Sequence, residues 1–318
     1  MDESGNALSS NLLISEVFYF KEEKLMLLAL QIVLGACFVA TGVGCIVKIK
    51  KDKMDDVKNA TGKQWFAAFF VGILCNFLDT LGCGSYAPST ALYKIFNNQD
   101  DIDIPGTLNV GDTFPVIFEA FIFTSSVDCE PKFLIAMLVA AAVGSYGFAN
   151  IVTKWPRNKI RWALGVMMPL LAIVMFCKNM GFGPFGTVGT AIGLTGWKAA
   201  VAIILNVLWG ALMDIGFGLY APCMATCLML GVDAGTCFPV FMGSCALLMP
   251  ACSIAFIKTG RFDAVATLGN MIGGLIGVFI AWKLFTSMPL FWLINLVCVV
   301  LLYTSYTLIS AAIKEKNA

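Results

Sequence analysis

The chain has 318 residues, 59% of them hydrophobic and 13% charged, with a formal net charge of +1, no histidine and a mean hydropathy of +0.84. That much apolar residue, with too little charge to cover a soluble surface, predicts a polytopic α-helical protein embedded in the lipid bilayer. Unbroken apolar runs exclude a transmembrane β-barrel, the lack of histidine excludes histidine-based catalysis within this chain, and no phosphate loop, Ser-His-Asp set or basic nucleic-acid patch is present.

The N-terminal stretch 1–24 is acidic and interrupted, unlike a secretory signal, and reads as a lead-in with an interfacial helix around Leu12–Phe20. The first clear span is Leu25–Val47, followed by six lysines between Lys48 and Lys63. An apolar block then runs from Trp65 to Phe96, too long for one straight crossing at about 1.5 Å per residue. After the polar stretch NNQDDIDIPG come spans at Thr107–Ser126 and Phe133–Val152, the basic loop TKWPRNKIR and a span at Trp162–Cys177. The glycine-rich KNMGFGPFGTVGTAIGLTG reads as a loop or short re-entrant piece. A second long block, Trp197–Leu230, is followed by spans at Thr236–Ile257, Ala264–Trp282 and Leu290–Ile313. Most of the twelve cysteines lie inside these runs, where they act as small hydrophobes, and no CxxC pair or histidine offers a metal site.

The two long blocks share a heptapeptide, Gly-x-Gly-x-Tyr-Ala-Pro, at Gly82–Pro88 and Gly216–Pro222. The likeness continues downstream. Phe-Pro-Val recurs at Phe114–Val116 and Phe238–Val240, and Gly144 and Gly147 find counterparts in Gly274 and Gly277. This ordered set predicts an internal repeat, 25–152 and 153–282, between the lead-in and a final span with a tail, 283–318.

Lysines and arginines favour the cytoplasmic side. If each long block is a re-entrant hairpin and the N-terminus is outside, 15 of the 21 basic residues fall inside; if each block crosses once, 13 do. The hairpin arrangement is preferred. It makes the halves inverted repeats and puts Lys50, Arg157, Arg261 and the C-terminal Lys316 in the cytoplasm.

An unwound backbone inside a membrane survives only where it is buried in protein or lines a polar cavity. Glycine permits the break, and a proline in the first turn of the following helix costs no hydrogen bond. The expected breaks are at Gly82–Gly84 and Gly216–Gly218, with new helices from about Ser85 and Leu219. A helix start in the membrane presents free N–H groups and partial positive charge, which suits an anion; paired broken helices mark substrate sites in secondary transporters. For Gly144, Gly147, Gly274 and Gly277 the expectation is close helix packing instead.

Three acids lie in apolar runs, Asp79 and Asp214 before the breaks and Glu119 mid-span. They are candidates for proton or sodium coupling; capping of free N–H groups by Asp79 and Asp214, with Glu119 neutral and hydrogen-bonded, is the structural alternative. No lysine or arginine is expected at their depth, so the N–H dipoles and hydroxyls would have to hold an anion.

On the glycine-rich break followed by Ala-Pro in each half, the repeat spacing and the length, the chain over Leu25–Ile313 resembles the TauE/SafE family of anion transporters, called sulfite exporters. The resemblance implies transport of sulfite, sulfoacetate or a related small organic anion across a bacterial cytoplasmic membrane, coupled to protons, without a cofactor. It supports Gly82, Gly84, Ser85, Tyr86, Gly216, Gly218 and Tyr220 as substrate contacts, and Thr113, heading the first Phe-Pro-Val span, joins them. Asp79, Asp214 and the acidic insertion Asp100–Asp103 depart from the family pattern. The expected function is therefore a secondary transporter, not an enzyme, with a small anion, a coupling proton or sodium ion, the bilayer and a second copy of the chain as candidate partners. An ion channel and a cation-coupled carboxylate transporter are the alternatives.

Overall fold

The computed structural model describes residues 3–96, 99–186, 189–284 and 290–317, with side chains of the first helix described from Lys24. The described residues are helical throughout, joined by turns and one isolated bridge between Ala191 and Val232. Among the described residues, six helices are long and apolar enough to cross a membrane: Lys24–Asp52, Pro131–Val152, Arg157–Met180, Gly196–Met213, Cys237–Thr259 and Ala264–Leu284.

Helix α1 covers Glu3–Asp52, so the lead-in and the first span form one continuous helix. The lysine-rich stretch contains a short helix, α2 (Met54–Asn59), and α3 (Gly62–Thr80) starts on a capping box in which Thr61 and Gln64 satisfy each other's backbone N–H groups. Helix α4 (Tyr86–Phe96) completes the first long block. The span expected over 107–126 is two helices, α5 (Ile104–Gly111) and α6 (Thr113–Ser126), jointed at Asp112. The joint has a local cause: Pro115 has no N–H to give the Gly111 carbonyl.

Helix α7 (Pro131–Val152) leads through the basic loop to α8 (Arg157–Met180), longer than expected and carrying Pro169 inside it. The glycine-rich stretch holds a 3-10 turn at Gly183–Gly186, while 187–188 lie outside the described residues. Then come α9 (Gly196–Met213), α10 (Tyr220–Leu230), α11 (Cys237–Thr259), α12 (Ala264–Leu284) and α13 (Leu290–Asn317).

The packing exchanges partners between the halves. Helix α3 lies along α12 and α9 along α7, while α11 packs on both α6 and α7. Glycines make the first two contacts close. A Cβ on Gly144 would sit 1.9 Å from the Val207 carbonyl oxygen, and one on Gly277 2.2 Å from that of Ile73. Gly274 is similarly tight, against Pro115 and Asn76, so close packing is the role of these three. Gly147 differs: nothing lies within 4 Å of its would-be Cβ, and it faces a crevice between α1, α7 and α11.

Contacts also show which segments share an end of the molecule. Lys48 Nζ donates to the Lys258 carbonyl, Lys53 lies over the Phe262 ring, and Arg261 donates to the Trp155 carbonyl. Asp101 accepts from Lys94 at 2.6 Å and from Arg161 at 2.7 Å, and Arg157 pairs with Asp100. The acidic insertion thus clasps the basic loops of one end. Asn158 donates to the Ala312 carbonyl, which brings α13 to that end; the Lys316 side chain lies outside the described residues. At the opposite end, the Glu130 N–H bonds to Ile192, Thr236 donates to Asp128, and Lys198 Nζ reaches the Leu230 carbonyl.

Candidate functional site

The two heptapeptides, 134 residues apart in the chain, meet in the middle of the molecule. Helix α3 ends at Thr80 and α4 starts at Tyr86; α9 ends at Met213 and α10 starts at Tyr220. Gly82, Gly84 and Gly216 hold φ values of +80°, +83° and +95°, in the left-handed region that glycine alone adopts without strain. Gly218 is not among the positive-φ glycines; it serves by lining the space between the breaks.

A cavity of about 20 Å³ lies there, room for about one water molecule. Its wall includes Tyr86 and Ala87 from the first turn of α4, and Tyr220 and Ala221 from the first turn of α10. Helix geometry leaves the first N–H groups of a helix without an internal acceptor. Pro88 and Pro222 have no N–H to leave unpaired. Two helix starts therefore aim partial positive charge at one spot. Asp79, Gly84, Ser85 and Gly218 complete the polar part of the wall.

The two starts differ. Asp79 Oδ1 accepts from the Ser85 N–H at 2.5 Å and so caps the first. No side chain caps the second. When the heptapeptides are aligned, Asp79 matches Met213, and Asp214 matches Thr80. Asp214 is turned toward α7, where Ser145 Oγ donates to it at 2.8 Å; its other oxygen has no hydrogen-bond partner. Asp214 is thus not a cap for the second break.

Asp79 and Glu119 are drawn together by a tyrosine from the other half. Tyr220 Oη lies 3.2 Å from Asp79 Oδ2 and 3.0 Å from Glu119 Oε2. Thr80 Oγ lies 2.7 Å from Glu119 Oε1 and 2.9 Å from the Asn76 carbonyl. A hydroxyl carries one hydrogen. Two hydroxyl hydrogens therefore serve four acceptor contacts, and one proton on either carboxyl supplies a third donor. No lysine or arginine forms an ion pair with either carboxyl among the described residues. A proton shared between the two carboxyls would complete the hydrogen bonding of the group.

A cation does reach this depth, contrary to the expectation from sequence. Lys178, near the end of α8, donates from Nζ to the Gly82 carbonyl at 2.6 Å. It satisfies a carbonyl that the break strips of its helical donor and brings a positive charge to the first break. The remaining candidates sit apart from the cavity wall. Thr113 bonds to the Asn109 carbonyl and faces Ser253, and Gly216 packs against Leu164.

Sequence reading missed Asp112, a further buried acid, although it lies inside the span drawn at 107–126; Thr80 and Ser145, the hydroxyl partners, carried no sequence signal. No protein-family model matches this chain, and no curated protein or solved structure matches it.

Gly84 gives a clean test of the break. Its would-be Cβ has open space around it, so a substitution there is resisted by backbone conformation alone. Gly84→Ala is expected to cost about 1–2 kcal/mol, and the β-branched Gly84→Val more. Thermal melts of the purified variants should fall in the order wild type, Ala, Val; equal melts would show that φ at 84 is not held positive.

Proposed function

We propose that the protein is a secondary transporter for a small anion, sulfur-containing or organic, with proton coupling at the Asp79–Tyr220–Glu119 group. The observation that carries this reading is the convergence of two helix starts on one buried cavity. Free N–H groups and hydroxyls bind an anion through partial charges, which allows release. Lys178 adds positive charge at the first break. An ionised carboxylate beside the cavity repels an anion, and protonation removes that repulsion. Anion and proton therefore favour each other's binding, the logic of symport.

Each long block, in this reading, leaves the membrane by the face it came from. Helices α4 and α10 have 11 residues each, about 16 Å at 1.5 Å per residue, half the roughly 30 Å hydrocarbon core. Phe96 at the end of α4 packs on Phe70 of α3, and Lys198 at the start of α9 reaches Leu230 at the end of α10. Both contacts support hairpins, one from each face, with tips at the midplane and the halves as inverted repeats. The likeness to sulfite exporters belongs to the same proposal. In a membrane, the end that gathers Lys48, Arg157 and Arg261 is then cytoplasmic.

Two experiments test this. Purified protein should be stabilised by one member of a panel of sulfite, sulfonates, thiosulfate and small carboxylates, by about 2.7 kcal/mol at a hundredfold excess over Kd. Flux in proteoliposomes should saturate and concentrate that anion; non-saturating flux identifies a channel. Single cysteines at positions 50, 157 and 261, in a background without reactive thiols, should be labelled from the cytoplasmic side only. External labelling at 157 without labelling at 50 overturns the hairpin arrangement.

A further inference from the structure

Asp112, at the joint between α5 and α6, is fully buried. Asn76 Nδ2 donates to its Oδ1 at 3.2 Å, its Oδ2 has no hydrogen-bond partner, and no lysine or arginine pairs with it among the described residues. A buried carboxylate in that state is strongly disfavoured unless a cation or proton joins it.

Its neighbours are short of partners too. Asn76 Oδ1, Thr267 Oγ1 and Asn270 Nδ2 all lack one, and all three residues have no exposed surface. They come from two other helices, Asn76 from α3 and Thr267 and Asn270 from α12. Close backbone approach brings them to Asp112. A Cβ on the preceding Gly111 would lie 2.8 Å from Asn270 Cβ and 3.2 Å from the Thr267 carbonyl oxygen. Tyr93 fixes the Asn270 amide, with its hydroxyl 2.7 Å from that amide and 3.4 Å from the Ala266 carbonyl. Tyr93 Oη donates to Asn270 Oδ1; turning the amide over, which interchanges groups of nearly equal size, lets the hydroxyl accept from Asn270 Nδ2 and donate to the Ala266 carbonyl, and leaves the Asn270 oxygen as the unpaired atom.

The unpaired atoms are then all oxygens: one carboxylate, two amides and one hydroxyl. Hard cations choose such a set, and a single negative charge matches a monovalent ion better than Ca²⁺, which draws on several carboxylates. We propose that Asp112, Asn76, Asn270 and Thr267 form a buried Na⁺ site. None of these four residues lines the cavity between the breaks, and the site does not rest on the transport reading.

The test uses the full-length purified protein at constant pH and ionic strength, with NaCl exchanged for choline chloride. Saturable stabilisation by Na⁺ and saturable binding of radioactive Na⁺ are expected. Asp112→Asn should abolish both, and Thr267→Val should weaken binding about tenfold, since a lost ligand to a charge is worth at least that factor. Should Asp112→Asn fail to fold, Thr267→Val, which removes only a hydroxyl, carries the comparison. Asp100→Asn, in the loop paired with Arg157, should change nothing. Equal melts in Na⁺ and choline, stabilisation that follows pH alone, or an unchanged Na⁺ response in Asp112→Asn or Thr267→Val overturns the site. Na⁺ binding without anion transport, or the reverse, separates this inference from the proposed function.

Discussion

Glu119→Gln and Asp79→Asn are each expected to abolish the accumulation of anion that a pH gradient drives, while exchange of labelled anion at equal pH continues. The reason is the donor count around Tyr220. Its single hydroxyl hydrogen faces Asp79 at 3.2 Å and Glu119 at 3.0 Å, and Thr80 shares its own between Glu119 and a carbonyl. One proton on the pair completes the network. An amide in place of either carboxyl supplies that donor permanently and cannot return it. The binding geometry then persists, and the coupling is gone. With one proton per anion, a gradient of one pH unit sustains about tenfold accumulation beyond what the anion's own charge dictates; each variant should lose that factor. Asp214→Asn should keep it, because Asp214 is bonded to Ser145 on α7 and does not share Tyr220. Full pH-driven accumulation in both Glu119→Gln and Asp79→Asn makes these acids structural.

Gly144→Val is expected to damage the fold severely. The new Cβ would start 1.9 Å from the Val207 carbonyl oxygen, and Gly210 on the facing helix is as tight, 2.2 Å from the Ala141 carbonyl. A carbon–oxygen contact needs about 3.3 Å, so α7 and α9 must part by more than about 1 Å along their closest seam. Overpacking of this kind costs about 1–3 kcal/mol before the second γ-methyl is counted. Gly277→Val, which drives a Cβ into the Ile73 carbonyl, should do the same to α3 and α12. Gly147→Ala is the control, one turn along the same helix with nothing within 4 Å. The readout is the monodisperse fraction on size exclusion and the melting temperature. Wild-type values for Gly144→Val would mean that these helices do not meet at Gly144.

Much of this architecture was written locally. An apolar run long enough to cross a bilayer dictates a helix, because only a helix pairs its own backbone in lipid. The heptapeptides placed both breaks to within a residue: α4 starts at Tyr86 and α10 at Tyr220, against expected starts near Ser85 and Leu219. Glycine conformation and proline's missing donor act within a few residues, so sequence reports them.

What the tertiary structure decided concerns direction and distant partners. Asp79 stands three residues before its first glycine and Asp214 only two. One residue turns a helix position by about 100°, so one acid caps Ser85 and meets Tyr220 while the other turns to Ser145. Gly144 and Gly147 look alike in the chain, yet only the position of α9 makes one of them indispensable. Lys178 reaches the first break across 96 residues, from the first position of the stretch that reads as a glycine-rich loop. Composition and local conformation fix which segments are helices and where they break; which side chains then share a proton, a cation or a seam depends on helix rotation and packing, and those exist only once the chain is folded.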